Sequence, residues 1–249
     1  MTSRIEVRKT LKLYIGGAFP RSESGRTFEV DGHNAALASR KDARDAVLAA
    51  RAAFGKWTGA TAYNRGQILY RAAEMGESRG VGASDVDRLV WYAGWADKIA
   101  QVIGNANPVA GPYFNLSSPE PTGVVGVIGP SDLVEAIASV IVTGNTCVVV
   151  TPRAVEAVFL AEVFATSDLP GGVVNILTGY PKEVGPWLAS HDDVNALDLS
   201  GLDDAELAKS LEEAASDTLK RVLRPLPVTG MQRMTAFLET KTVWHPKGV

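Results

Sequence analysis

The stretch VVGVIGPSDLVEAIASVIVTGNTCVVV, residues 124–150, decides the fold. It holds two short apolar runs rich in β-branched residues, 124–128 and 146–150, with a helical segment, 133–142, between them. A strand that is covered on both faces of a sheet has a continuous apolar sequence of this kind. Two such strands with a helix between them are parallel, with a right-handed crossover. The stretch therefore predicts a βαβ unit.

The same alternation continues toward the C-terminus. Further apolar runs cover 173–177, 196–199 and 219–223, and helical segments cover 155–165, 183–189 and 205–214. Strands that alternate with helices predict a parallel sheet with helices on both faces. The predicted fold class is therefore α/β, with a doubly wound, Rossmann-like parallel sheet over residues 124–224.

The segments on either side predict additions to this sheet. Residues 1–112 hold short strands and amphipathic helices that would pack on the nucleotide-type domain. Residues 113–128 contain two β-prone runs separated by a Pro-Glu-Pro-Thr-Gly break, which predicts a hairpin leading into the first sheet strand. Residues 225–249 begin with two prolines and end in a β-prone stretch, which predicts a linker and a C-terminal strand.

A third helix in the N-terminal segment carries several large apolar side chains. They are Val90, Trp91, Trp95, Ile99 and Val102. Aromatic residues at helical spacing are core residues more often than they are ligand contacts. We therefore expect these side chains to face inward.

Composition excludes several classes of protein. The chain has 249 residues, of which 46% are hydrophobic and 21% charged, with a formal net charge of −3. This balance does not favour nucleic acid or an anionic membrane as a partner. The single cysteine, Cys147, suits a reducing compartment, and no run approaches the roughly 18 apolar residues of a membrane span. We expect a cytoplasmic protein, and the three histidines show no spacing typical of a metal site.

Several motifs, in order along the chain, resemble the aldehyde dehydrogenase superfamily. They are KLYIGG (12–17), RSESGRTFEV (21–30), WYAGWADK (91–98), EPTGVVGVI (120–128), GNT (144–146) and LPGGVVNILTG (169–179). The resemblance implies the N-terminal, NAD-binding half of such an enzyme. Residues 239–244, ETKTVW, resemble the final strand of the superfamily, which lies in its oligomerisation flap.

The catalytic motifs of the superfamily do not occur in these 249 residues. Its members carry a Gly-Gln-x-Cys nucleophile and a Glu-Leu-Gly-Gly segment with the general base, and the resemblance implies that the domain holding them is missing here. Cys147 does not replace the nucleophile, because it lies in an apolar strand, where burial keeps a thiol protonated and inert. We therefore predict no catalytic residue.

The residues that would contact NAD in the superfamily are also altered. Gly129-Pro130-Ser131-Asp132 replaces its Pro-Trp-Asn sequence, and Thr151-Pro152-Arg153-Ala154 replaces its Lys-Pro-x-Glu sequence. Leu202 removes a hydroxyl from its Thr-Gly-Ser turn, and Glu206 replaces a later glycine. The degenerate remnants of the site are Ile128, Gly129, Pro130, Thr151, Pro152, Ser200 and Gly201. We therefore expect little or no NAD binding and no other cofactor.

These observations favour a non-catalytic subunit that assembles with an intact, NAD-dependent aldehyde dehydrogenase. The predicted interface residues are Tyr113, Asn115, Thr240, Lys241, Thr242, Val243 and Trp244. The terminal strand would pair its backbone in the oligomer interface, with Trp244 as a buried anchor. The alternatives are a nucleotide-sensing module without turnover, an active NAD-dependent aldehyde dehydrogenase, a homo-oligomer without an active partner, and a truncated relic.

Overall fold

The computed structural model describes residues 9–248. The strands are β1 (Thr27–Val30), β2 (His33–Ala36), β3 (Asn105–Asn107), β4 (Tyr113–Pro121), β5 (Val124–Ile128), β6 (Thr146–Thr151), β7 (Val174–Thr178), β8 (Ala196–Asp198), β9 (Arg221–Leu223) and β10 (Leu238–Pro246). The helices are α1 (Arg40–Thr58), α2 (Ala62–Arg79), α3 (Ala83–Trp95), α4 (Ile99–Ile103), α5 (Leu133–Val142), α6 (Ala154–Ala165), α7 (Pro181–Ala189), α8 (Ala205–Ser216) and α9 (Gly230–Ala236). Residues 1–8 and Val249, which belong to the predicted segments 1–112 and 225–249, lie outside the described residues.

The central sheet has five parallel strands in the order β7-β6-β5-β8-β9. The stretch 124–150 forms β5, α5 and β6, so the predicted βαβ unit and the doubly wound fold class are confirmed. The strand order reverses between β5 and β8, because the chain crosses back over β5 after β7. Ligands of open α/β sheets bind at such a switch point, outside the carboxyl ends of the strands.

Helices cover both faces of this sheet. Side chains of β5 alternate between two hydrophobic clusters: Val125 and Val127 belong to the cluster with α5 and α6, whereas Val124 and Ile128 belong to the cluster with α1, α7 and α8. Buried residues at the C-terminal helix, Met234 and Phe237, join the first cluster. Helix α9 therefore completes the covering of the face that carries α5.

The third helix differs from its prediction. Of the five side chains expected to face inward, Ile99 and Val102 belong to the next helix, α4. Ile99 is buried and Trp95 is partly buried against the core, whereas Val90, Trp91 and Val102 are exposed. The reason is that α3 lies at the periphery and contacts α2 and α5 along a narrower face than its apolar sequence predicts. Trp91 lies on the surface, with its ring 5.6 Å from that of Trp95.

The predicted hairpin over residues 113–128 is wrong. Strand β4 does not pair with β5; it pairs instead with β3 and β10 in a separate antiparallel sheet of order β10-β4-β3. Both edges of β5 are already occupied by β6 and β8, so no edge remains for β4. We call the sheet β10-β4-β3 the flap. The terminal strand therefore pairs within its own chain.

No helix among the residues that the structure describes is both long enough and apolar enough to cross a lipid bilayer.

Candidate functional site

A cleft of 580 Å³ lies at the carboxyl edge of the central sheet, at the switch point between β5 and β8. It is formed by the loops after β5, β6 and β8 and by the start of α7. Sequence-predicted contact residues in its lining are Gly129, Pro130, Thr151, Pro152 and Gly201. Ile128 and Ser200 are not part of the lining. The parallel-strand order brings these separate loops to one edge.

The loop after β6 offers little free positive charge. Thr151 is buried, and its hydroxyl accepts a hydrogen bond from the Arg153 backbone N–H at 3.2 Å. The Arg153 guanidinium donates to the Ser131 carbonyl at 2.6 Å and to the Glu156 carboxylate. Because Glu156 pairs with its charge and two of its five N–H donors are used within the chain, Arg153 is poorly placed to hold a ligand phosphate. Lys182 lies at the exposed rim of the cleft.

The N-terminus of α8 faces the cleft, but it is already capped by the chain itself. The Asp204 carboxylate accepts the Leu207 backbone N–H at 3.0 Å, as an N-cap residue does. Asp203 lines the cleft beside it. A helix N-terminus attracts anions through its free N–H groups and its dipole. Here the carboxylates of the chain occupy that position and would repel a phosphate.

The loops after β5 and β8 lie in direct contact. A Cβ atom on Gly201 would collide with the backbone of residues 129–131, so only glycine permits this approach. The Leu202 side chain packs over Gly129, where an added Cβ would lie 3.1 Å from the leucine Cδ1. The space between the two loops is therefore filled by protein atoms.

The only cysteine offers no nucleophile. Cys147 is fully buried in β6, and burial raises the pKa of its thiol to about 12. Its backbone carbonyl accepts a hydrogen bond from the Asn175 side chain at 3.1 Å. Within residues 9–248, no group of three or more His, Cys, Asp or Glu side chains is arranged to hold a metal ion.

A buried polar cluster between α5, the end of β8 and α9 was not found from the sequence. Arg233 of α9 is 5% exposed, and its guanidinium contacts the Asp198 carboxylate and the hydroxyls of Ser139 and Ser200. The signal available in the sequence was Asp198 itself, a charged residue within the apolar run 196–199. A carboxylate at such a position requires a partner when it is buried.

The flap exposes apolar side chains on both of its faces. Phe114, Leu116 and Val243 share one face and are 52%, 49% and 47% exposed. Tyr113 and Trp244 share the other face, with ring centroids 5.9 Å apart. Strand β10 is an edge of the flap, and no strand of the described residues pairs with its outer side. The backbone groups on that side could therefore pair with a strand of another chain.

The polar residues of the predicted interface have partners within the flap. Asn115 is buried, and its side-chain oxygen accepts a hydrogen bond from the Asn107 side chain at 2.7 Å, so this oxygen is not offered to a second chain. The hydroxyls of Thr242 and Ser117 lie 2.9 Å apart. Lys241 pairs with Glu120 at 3.0 Å, and Thr240 lies exposed in β10.

Comparison with known proteins identifies the family to which this chain belongs. Residues 74–227 match the model of the aldehyde dehydrogenase family. The chain belongs to the aldehyde dehydrogenase family. The resemblance stated from its sequence motifs is thereby confirmed.

The relatives show how much of the family the chain represents. Retinal dehydrogenase 2 of Gallus gallus is 34% identical over 263 residues, covering 89% of this chain and 49% of that protein. The cytosolic aldehyde dehydrogenase 1 of Elephantulus edwardii is 33% identical over 262 residues, covering 88% of this chain and 50% of that protein. The chain spans about half the length of the curated relatives it matches.

Solved structures of the family show the same fold. An NAD⁺ complex of an aldehyde dehydrogenase from Bacillus cereus superposes with a TM-score of 0.76 at 27% identity, over 86% of this chain and 50% of that one. HpcC from Thermus thermophilus superposes with a TM-score of 0.79 at 28% identity, over 86% of this chain and 47% of that one.

The dinucleotide that the family implies does not fit the residues of this cleft. A diphosphate needs free N–H donors or a cation, whereas the start of α8 is capped by Asp204 and flanked by Asp203. The two loops that would have to admit the ligand touch at Gly201. The side chains at 202–204 supply neither a hydroxyl nor a positive charge.

Proposed function

We propose that this chain is a non-catalytic, cytoplasmic member of the aldehyde dehydrogenase family that assembles with an intact, NAD-dependent aldehyde dehydrogenase. The partner would oxidise the aldehyde to the carboxylate. The observation that carries the proposal is the flap, which exposes apolar residues on both faces and leaves β10 as a free edge among the described residues. Exposed apolar surface together with an unpaired strand edge is typical of a docking surface.

The chemistry of the chain supports a role without turnover. Aldehyde oxidation through a thiohemiacetal needs a thiolate nucleophile and a base that activates it. Cys147 is buried, with the pKa of its thiol raised to about 12, and therefore supplies no thiolate near neutral pH. The start of α8, which would face the phosphates of a dinucleotide, is already capped by Asp204. Hydride transfer would therefore take place in the partner.

The flap supplies a geometry for docking. A second chain could extend the sheet by pairing with the outer edge of β10, which gains main-chain hydrogen bonds. The side chains of Val243 and Trp244 point to opposite faces, so a partner strand or loop could cover either one. Aromatic anchors dominate the binding energy of such interfaces. Trp244 is therefore the first residue to test.

Co-expression tests this proposal. This chain, carrying an affinity tag, is expressed together with an intact aldehyde dehydrogenase of the same organism, and the captured material is sized. We expect both chains to elute in one complex. Elution of this chain by itself at every concentration contradicts the proposal, and a discrete multimer of this chain alone favours the homo-oligomer.

The 580 Å³ cleft favours a second candidate, a nucleotide-sensing module without turnover. Its apolar lining, including Pro152, Pro181 and Leu207, could contact a flat base even where a diphosphate is repelled. Calorimetry distinguishes the two candidates by measuring the heat of binding of NAD, NADP and adenine nucleotides to the pure chain. Saturable heat without turnover supports the sensing module. Reduced nicotinamide formed from an aldehyde by the pure chain, and lost in Cys147→Ala, would support an active dehydrogenase instead.

A further inference from the structure

A buried ion pair joins the C-terminal helix to the central sheet. The Arg233 guanidinium donates from Nε to the Ser139 hydroxyl at 3.1 Å, from Nη1 to the Ser200 hydroxyl at 2.7 Å, and from Nη2 to the Asp198 carboxylate. All three nitrogens are therefore engaged. Arg233 is 5% exposed and Asp198 is 1% exposed, so water does not compensate either charge.

Asp198 is equally constrained. Its Oδ1 accepts the Ser200 backbone N–H at 3.0 Å and the Ser200 hydroxyl at 2.7 Å, and its Oδ2 faces Arg233. The pair connects residues 35 positions apart, the last residue of β8 and the middle of α9. A buried charge that loses its oppositely charged partner is strongly unfavourable. Separating α9 from the sheet would break this ion pair and would therefore cost more free energy than breaking a contact between neutral groups.

Two further contacts fasten the ends of the same helix. The Gly230 backbone N–H donates to the Glu135 carboxylate at 3.0 Å, and the Asn145 amide donates to the Phe237 carbonyl at 2.8 Å. Strand β10 begins at Leu238, directly after this second contact. The position of α9 therefore determines where the flap strand starts.

Helix α9 cannot hold this position by its own propensity. It has 7 residues, and helices of this length are not stable in isolation. Met234 and Phe237 contribute burial, but apolar contacts are not directional and do not fix register. The ion pair supplies the directional contact at the centre of the helix.

We propose that Arg233 is a positioning residue for the flap. Its pair with Asp198 fastens α9 to the sheet and so holds the start of β10, which then pairs along its nine residues with β4, although Arg233 does not belong to the exposed surface of the flap. The consequence for docking rests on the proposed function. The fastening itself is a property of the isolated chain and is tested without a partner.

Hydrogen–deuterium exchange of the isolated protein tests the fastening. In Arg233→Met, Asp198 remains buried without its cation, so we expect the backbone amides of α9 and β10 to exchange roughly 100-fold faster. Amides of β5 and β6 should keep their protection. Arg224→Met is the matched control, because Arg224 pairs with Glu212 on the surface, and it should leave the exchange of β10 unchanged.

A double variant separates the charge pair from simple packing. Arg233→Met with Asp198→Asn removes both charges and keeps an acceptor oxygen for Ser200, so we expect β10 to recover much of its protection. Wild-type exchange in Arg233→Met overturns the proposal, and so does a double variant that exchanges as fast as the single one. If Arg233→Met does not fold, the exchange of β10 is compared among the wild type, the double variant and Arg233→Lys. Wild-type protection in the double variant together with faster β10 exchange in Arg233→Lys supports the charge pair. Faster exchange in the double variant together with wild-type protection in Arg233→Lys overturns it.

Partner capture then links the fastening to docking. With the co-expressed dehydrogenase, we expect Arg233→Met to capture less partner than Arg224→Met. If Arg233→Met exchanges faster but the wild type captures no partner, the proposed function fails and the fastening stands. If the wild type captures the partner but exchange in Arg233→Met is unchanged, the fastening fails and the proposed function stands.

Discussion

Single side chains make the α8 side of the cleft unfavourable for an anion. The Asp204 carboxylate takes the Leu207 N–H that a phosphate would use, and Leu202 packs over Gly129. A diphosphate would have to displace a cap worth about 1 kcal/mol and would then meet two carboxylates. The sequence predicted this loss at Leu202, because a missing hydroxyl can be recognised from the sequence. The contact of Gly201 with the preceding loop required the structure.

We predict that NAD does not stabilise the wild-type chain. A ligand that binds only the folded state raises stability by about 2.7 kcal/mol at a hundredfold excess over its Kd. Because Asp204 caps the start of α8 and Asp203 flanks it, the melting temperature should not change at about 5 mM NAD, a concentration that exceeds even a millimolar Kd. Differential scanning fluorimetry measures the change, with an intact aldehyde dehydrogenase as the positive control. A saturable rise in the melting temperature would contradict this account of the cleft.

We predict that Cys147 is inert in the folded protein. Burial raises the pKa of its thiol from 9.0 to about 12, so thiolate is present in roughly one molecule in ten thousand at about pH 8. Iodoacetamide should label Cys147 only after unfolding, as mass spectrometry would show. Rapid labelling of the native protein would disprove its burial.

The same shift gives Cys147 a pH-dependent effect on stability. The folded thiol binds its proton more tightly than the unfolded one, so this contribution is fully present below pH 9.0 and is lost as the pH rises toward about 12. At neutral pH, Cys147→Ala should be about 1 kcal/mol less stable than wild type. Chemical denaturation at about pH 10 should show a smaller difference.

At the scale of elements, the sequence predicted those whose pattern is local. The strands at 124–128 and 146–150 could be predicted because both faces are buried and the apolar run is continuous. Sheet membership was less predictable, since β4 joins a second sheet through pairing with a strand far along the chain, β10. Trp91 was predicted to face inward but is exposed, because an apolar stripe in the sequence does not show how much of the surface of α3 contacts its neighbours.

We predict that Gly230→Ala destabilises the fastening of α9. Gly230 has φ +58°, and a Cβ there would lie 3.2 Å from the Trp91 ring. Gly25→Ala is the matched control, because Gly25 has φ +67° with open space around it. Both changes cost about 1 kcal/mol for the left-handed backbone, and Gly230→Ala should cost up to about 1 kcal/mol more, because the partly exposed Trp91 ring must shift to admit the Cβ. Equal losses of unfolding free energy, measured in urea, would contradict the packing of Trp91 on this turn.

We predict that Trp244→Ser abolishes assembly without unfolding the chain. Trp244 is 58% exposed in β10, so its removal should change the free energy of unfolding by less than about 1 kcal/mol. Tyr63→Ser is the matched control, because Tyr63 is 68% exposed on α2, away from the flap. Capture of the dehydrogenase should be lost only in Trp244→Ser. Equal capture by both variants would remove Trp244 from the interface.

At the scale of the whole molecule, the C-terminal segment links the central sheet to the flap. Met234 of α9 and Phe237, directly after it, cover the sheet, and Arg233 ties the helix to it. Strand β10 continues from this segment into the flap. The sequence suggested the terminal strand from its resemblance to the family. The pair Arg233–Asp198 could not be predicted, because its members lie 35 positions apart and only the fold brings them together.

Native mass spectrometry of the chain co-expressed with an intact aldehyde dehydrogenase tests the central claim most directly. The account predicts a species whose mass is the sum of both kinds of chain, with aldehyde-dependent NADH formation that requires the nucleophilic cysteine of the dehydrogenase and not Cys147. Masses that correspond only to separate assemblies of each chain would contradict it.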